Sequence, residues 1–186
     1  MKRAFVFIDG NNFYFKLKEL ISRLDGKFSL LDFNFRAFAE WLVNPNDLTE
    51  IRYYLGVISR RKNDDKSEEL YANQQRLFRK LQRQNVTIVL GQLIRHPDKS
   101  YHEKGVDVRL AIEMIRFARE NKYDQAYLVS SDTDLVAVIE EIQAFGKTVQ
   151  YIGIPKGQSF GLSQVADDVR LLRPEEIKQF FPEALI

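Results

Sequence analysis

Four aspartates carry the chemistry. Asp9 ends an apolar run in R-A-F-V-F-I-D-G-N-N, and Asp132 and Asp134 end another in L-V-S-S-D-T-D. Asp107 stands in E-K-G-V-D-V-R-L-A-I-E-M. Brought together, four carboxylates repel one another and raise each other's pKa. A divalent cation removes that conflict. The chain has no cysteine and only two histidines, His96 and His102, so the ligands would be hard oxygens, which favour Mg²⁺ or Mn²⁺. Mg²⁺ keeps several waters and takes one or two carboxylates directly, leaving the other acids to act through those waters. Such a centre activates a water and offsets the charge of phosphodiester cleavage. A plainer local reading competes. Ser131 could cap a helix starting at Asp132, with Asp134 where a capping box puts its acid. Acids in a first helical turn are also favoured by the macrodipole. The choice depends on whether the four acids meet.

The elements that would position them alternate. Strands are expected over Arg3 to Ile8, Ile51 to Ser59, Val86 to Leu93, Tyr123 to Ser130, Lys147 to Ile152 and Val169 to Leu172, as short runs rich in β-formers. Helices are expected from Asn11, over Leu30 to Val43, Glu68 to Gln84, Val106 to Glu120 and Asp132 to Phe145, and after Pro174. Arg60 to Ser67 and Arg95 to Gly105 read as polar loops. This order predicts an α/β fold, a sandwich around a mostly parallel sheet, in one domain over residues 1–186. In such a sheet, function sits at the carboxyl ends of the strands. Asp9, Asp132 and Asp134 would then share one edge. Asp107 opens the helix over Val106 to Glu120. Its solvent stripe is read as Arg109, Glu113, Arg116 and Glu120, and Asp107 is placed on the other side with Ala111, Met114 and Ala118. A carboxylate facing a core needs compensation, and the helix N-terminus supplies part of it.

Composition narrows the class. The 186 residues are 45% hydrophobic with a net charge of +2. Eleven Lys and Arg stand against five Asp and Glu between Ile51 and Ser100, an excess of six that leaves the rest of the chain at −4. A basic surface beside an acidic pocket suits an enzyme acting on a polyanion; a solvated helix face explains the same run. There is no membrane-length apolar run and no secretory pattern at the N-terminus, which with the absence of cysteine fits a cytoplasmic protein.

Three blocks are recognisable. F-V-F-I-D-G-N-N, E-K-G-V-D-V-R-L-A-I-E-M and Y-L-V-S-S-D-T-D-L-V-A-V-I, with F-G-K-T-V-Q-Y-I-G after the last, together resemble the NYN domain family, and its LabA-like group most closely. The resemblance covers about residues 3 to 172 and leaves a C-terminal helix at 174–181. It implies a PIN-like three-layer α/β/α fold and a metal-dependent ribonuclease site. Asp9, Gly10 and Asn12 match its first motif, Lys104 to Asp107 its central one, and Ser130 to Asp134 its third, with Ser131 in place of the usual glycine. Ala166 and Asp167 match a late motif, and Asp167 is a candidate for the rim. The family often has aspartate where this chain has Glu113, which periodicity puts on the solvent side.

The roles follow as expectations. Asp9 and Asp132 bind the metal, and Asp107 and Asp134 complete the shell, so all four are catalytic candidates. Asn12, Ser130, Ser131 and Lys104 are candidate substrate contacts. Arg60, Arg61, Lys62, Arg76, Arg79, Lys80 and Arg83 would steer single-stranded RNA, and Phe13, Tyr14, Phe15 or Trp41 could stack on bases. Family relatives are often dimers. A non-catalytic RNA-binding module is the alternative, and it would bind RNA without needing Asp9 or Mg²⁺. A small-molecule phosphatase with an aspartyl nucleophile fits poorly, because strand one ends in D-G-N rather than D-x-D. A Rossmann cofactor protein fits less well still, since no G-x-G-x-x-G follows.

Overall fold

The computed structural model describes residues 1–22, 24, 28–58, 64–95 and 101–182; for 92–95 and 101–104 it describes the backbone alone. Six strands form one sheet: β1 (Arg3–Asp9), β2 (Asp47–Leu55), β3 (Thr87–Leu90), β6 (Gln125–Val129), β7 (Thr148–Gly153) and β8 (Asp168–Leu171). Their order is β3-β2-β1-β6-β7-β8, and every pair is parallel. A separate antiparallel hairpin joins β4 (Gln92–Arg95) to β5 (Tyr101–Lys104). The helices are α1 (Gly10–Ile21), α2 (Phe35–Val43), α3 (Asp65–Arg83), α4 (Val106–Arg119), α5 (Val136–Ala144), α6 (Phe160–Val165) and α7 (Pro174–Lys178).

A parallel sheet is covered on both faces, so its strands read as continuous apolar runs. β1 is the clearest case, with Ala4 to Asp9 all buried. Its alternate residues face opposite layers. Ala4, Val6 and Ile8 pack with α1, α2 and α7, and with Leu81 of α3. Phe5 and Phe7 pack with α4, α5 and α6. The result is the expected three-layer α/β/α sandwich. No helix among the described residues is long and apolar enough to cross a membrane.

The strand expected over Ile51 to Ser59 begins earlier, as β2 (Asp47–Leu55), and Ser59 lies outside the described residues. The helix expected over Asp132 to Phe145 opens with a 3-10 turn, Thr133–Leu135, before α5. Three further elements differ from the sequence reading. The expected strand Val86 to Leu93 stops at Leu90. The Gly91 N–H closes the β2 edge by donating to the Leu55 carbonyl at 3.0 Å, and the chain then leaves the sheet. The stretch read as the loop Arg95 to Gly105 supplies β5, the second arm of the hairpin. The helix expected over Leu30 to Val43 is a 3-10 turn, Leu30–Asp32, followed by α2. Asn34 separates them because its side chain accepts the Ala37 N–H and so starts α2 afresh.

Candidate active site

β1 and β6 lie side by side in the middle of the sheet. From β1 the chain passes to α1 on one face, and from β6 to α5 on the other. The crevice at the carboxyl end of such a switch point is where open α/β sheets bind ligands. Ile8 pairs with Val129, so the residues that follow, Asp9 and Ser130, come together. Asp9 is 6% exposed and Ser130 2%.

Asp9 does two jobs. One carboxylate oxygen caps α1 by accepting the Asn12 N–H at 3.1 Å, and the other accepts the Ser130 hydroxyl at 2.9 Å. Gly10 must be glycine for this geometry. A Cβ there would sit 2.6 Å from the Tyr54 carbonyl and against the Tyr53 ring. The Ser130 oxygen also accepts the Asp132 N–H at 3.1 Å, and Asp132 accepts the Asp134 N–H at 3.0 Å. Asp9, Ser130, Asp132 and Asp134 are thus linked in one hydrogen-bonded series. The cap in this loop is Asp132, which starts the 3-10 turn Thr133–Leu135. Ser131, the expected cap, makes no such bond among the described residues, because Ser130 and Asp132 take the free N–H groups first.

Electrostatics brings in the fourth acid. Burial pushes the Asp9 carboxyl above its ordinary pKa; the Asn12 N–H and Ser130 hydroxyl pull it down, while Asp107 and Asp132 push it up. The pKa of Asp107 is raised by partial desolvation, then by Asp132 and Asp134. Asp107 is exposed at the first turn of α4 rather than aimed at the core. Gly105, in the left-handed conformation at φ 82°, turns the chain into α4 just before it. Among the described residues, no three acidic or histidine side chains converge tightly enough to hold one ion by themselves. The all-oxygen donor set and the mutual repulsion fit a cation bound directly by one or two carboxylates, with the others reached through its waters.

Of the other candidates, Asn12, Ser130 and Ser131 line a small cavity of about 10 Å³ together with Lys16. That is room for about one water. Lys16 was not singled out in the sequence. It stands one turn beyond Asn12 and donates to the Gly157 carbonyl at 2.9 Å, tying α1 to the loop after β7. Lys104 ends β5 just before α4, and its side chain lies outside the description. Arg60, Arg61 and Lys62 also lie outside the described residues. The remaining basic residues run along α3 away from the site. Its acidic first turn, with Asp65 and Glu68, follows the carboxyl end of β2, while Lys80 and Arg83 lead into the amino end of β3.

Two acids are reassigned. Asp167 is not at the rim. It accepts the Val149 N–H at 2.8 Å near the amino end of β7. Through the register Val149–Ala126–Phe5, that level is four β1 residues below Asp9, roughly 13 Å. Glu113 is 3% exposed, not on the solvent stripe. It accepts the Arg52 guanidinium at 2.7 Å, the Tyr54 hydroxyl at 2.9 Å and Arg109 at 3.2 Å. Arg52 also pairs with Glu50. Burial works against ionised Glu113, but Arg52 and Tyr54 outweigh it and hold the carboxyl below its ordinary pKa. This network ties α4, and so Asp107, to β2. The solvent face of α4 carries Arg109, Arg116 and Glu120 as expected, together with Val108 and Ile112, 61% and 58% exposed.

The comparisons with known proteins agree with this fold. The NYN domain model matches residues 3–172. No curated protein matches the chain. Among solved structures, the chain is similar to a protein of unknown function from Vibrio parahaemolyticus RIMD 2210633. The TM-score is 0.61 and the identity 20%, over 92% of this chain and 93% of that one. At that identity the likeness is one of fold.

Proposed function

The chain belongs to the NYN family, whose domain is part of the PIN-like nuclease superfamily, and we propose that it is a metal-dependent endoribonuclease acting on single-stranded RNA. The observation that carries this reading is the hydrogen-bonded series at the sheet's switch point, in which buried Asp9 is joined through Ser130 to Asp132 and Asp134. Asp9 and Asp132 would hold Mg²⁺ or Mn²⁺, with Asp107 and Asp134 reaching it through water. When bound, the ion supplies an activated water and stabilises the charge that develops on the phosphate. The protein does the rest. The Ser130 hydroxyl fixes the orientation of Asp9, and the Asp9 cap fixes the start of α1. Asn12, Ser131 and Lys16 offer donors to a phosphate at the mouth of the small cavity.

The test is cleavage of an end-labelled single-stranded RNA in Mn²⁺, Mg²⁺ or EDTA by the wild type and Asp9→Asn. Metal-dependent cutting by the wild type, lost in the variant, is expected. Cutting by Asp9→Asn at the wild-type rate contradicts the assignment. A binding module without catalysis would bind RNA equally in both proteins and cut under no condition. The presence of all four aspartates speaks against it.

A further inference from the structure

α1 has two faces. Phe13, Leu17 and Leu20 are buried in the core. Asn11, Tyr14, Phe15 and Lys18 form a second stripe at i, i+3, i+4 and i+7 spacing. Tyr14 is 42% exposed and Phe15 69%. Their rings meet edge to face, with centroids 5.4 Å apart. Large aromatics left in water next to a polar residue and a cation mark a contact surface rather than a core. The stripe borders a groove of about 570 Å³ between α1 and α3, floored by Tyr53 and Leu55 of β2. Leu70 of α3 stays 46% exposed on the opposite wall, though its helix phase would suit the core.

The groove begins at the start of α1, next to the carboxylate site. Gly10 and Asn11 line it, and they directly follow Asp9. Its size suits a small flat ligand. Its walls are apolar and aromatic, with Asn11 and Asn73 able to bond a base edge. Lys18 lines the groove, where its ammonium would meet the phosphate of a bound strand. These properties match single-strand recognition, in which bases stack on aromatic faces and cations follow the backbone.

We propose that this groove receives the nucleobase adjoining the scissile phosphate of a single-stranded RNA, with Tyr14 and Phe15 as its stacking surface and Lys18 holding the neighbouring phosphate. The inference rests on the ribonuclease reading and adds a subsite to it. Phe13 and Trp41, also stacking candidates by sequence, are excluded, since both pack against Phe38.

The test measures binding of a fluorescent single-stranded RNA decamer by anisotropy in EDTA, where no metal supports cleavage, and cutting of the same RNA in Mn²⁺. Wild type, Tyr14→Ala/Phe15→Ala and Phe15→Tyr are compared, with melting curves as fold controls. A second decamer carries abasic riboses throughout. The double variant should bind about tenfold or more weakly, the loss expected when a stacked base is released. It should lose most of its preference for the base-bearing decamer, and Phe15→Tyr should bind like the wild type. Binding and cutting by the double variant equal to wild type, while the wild type cuts in Mn²⁺, overturns the subsite and leaves the ribonuclease reading standing. A wild type that neither binds nor cuts either RNA overturns both.

Discussion

Replacing Glu113 with glutamine probes the network that ties α4 to the sheet. The wild-type carboxylate is 4% exposed in its side chain, and Arg52 is 12% exposed. Glutamine keeps the shape and one acceptor but removes the charge and turns an NH₂ toward Arg52 or Arg109. Removing one partner of a buried pair costs about 3–5 kcal/mol. Glu50 still neutralises Arg52 from the other side, so the cost should fall at the low end, about 3 kcal/mol. For a chain of this size that lowers the melting temperature by roughly 6–12 °C. The pH dependence has a definite sign. The folded pKa of Glu113 lies below its unfolded value, so its contribution is complete above the unfolded pKa and is lost as pH falls through the folded one. The gap between wild type and Glu113→Gln should therefore narrow in acid. Urea unfolding at pH 7 and at successively lower pH measures both effects, and a double-mutant cycle with Arg52→Met isolates the pair. A cost at pH 7 within about 0.5 kcal/mol, the range of an ordinary surface change, would refute the reasoning.

Two other substitutions test the local geometry. Gly10→Ala should destabilise the fold by about 2 kcal/mol or more, because the Tyr54 carbonyl, unlike a side chain, cannot swing aside; a melting temperature equal to wild type in calorimetry would show that the β1–α1 junction is looser than described. Ser130→Ala should cost about 1–3 kcal/mol by stranding a buried Asp9 oxygen. It should also move the acid limb of the cleavage profile to higher pH, because the lost hydroxyl favours ionised Asp9; an unmoved limb contradicts that role.

The strands and the carboxyl-edge placement of Asp9 and Asp132 were legible because a strand buried on both faces leaves an unbroken apolar run that ends abruptly. Glu113 was not. Arg109, Glu113, Arg116 and Glu120 have the spacing of a solvent stripe, but Val106, Leu110 and Glu113 have equally the spacing of a buried seam. What decides between them is Arg52 and Tyr54, about sixty residues away and brought opposite only by the β1–β2 pairing. The Asp132 cap was obscured because L-V-S-S-D-T-D holds three capping residue types in succession, and only the position of Asp9 across the crevice assigns Ser130. The hairpin β4–β5 escaped because it pairs off the main sheet, outside the alternation of strands and helices that the sequence pattern follows. The α1 stripe at Asn11, Tyr14, Phe15 and Lys18 was not read from the sequence, because Phe13 and Phe15 look alike until Phe13 and Leu17 take the core.

The measurement that bears most directly on the carboxylate cluster is the melting temperature of wild type and Asp9→Asn with and without Mn²⁺. The raised folded pKa of Asp9 means that its ionised form costs stability at neutral pH, a penalty that is complete above the folded pKa and disappears in acid. Without metal, Asp9→Asn should therefore melt at or above the wild type. Added Mn²⁺ should raise the wild-type melting temperature, as a ligand of the native state does, and leave that of Asp9→Asn unchanged. Equal shifts in both proteins, or none in the wild type, would contradict a metal site built on Asp9.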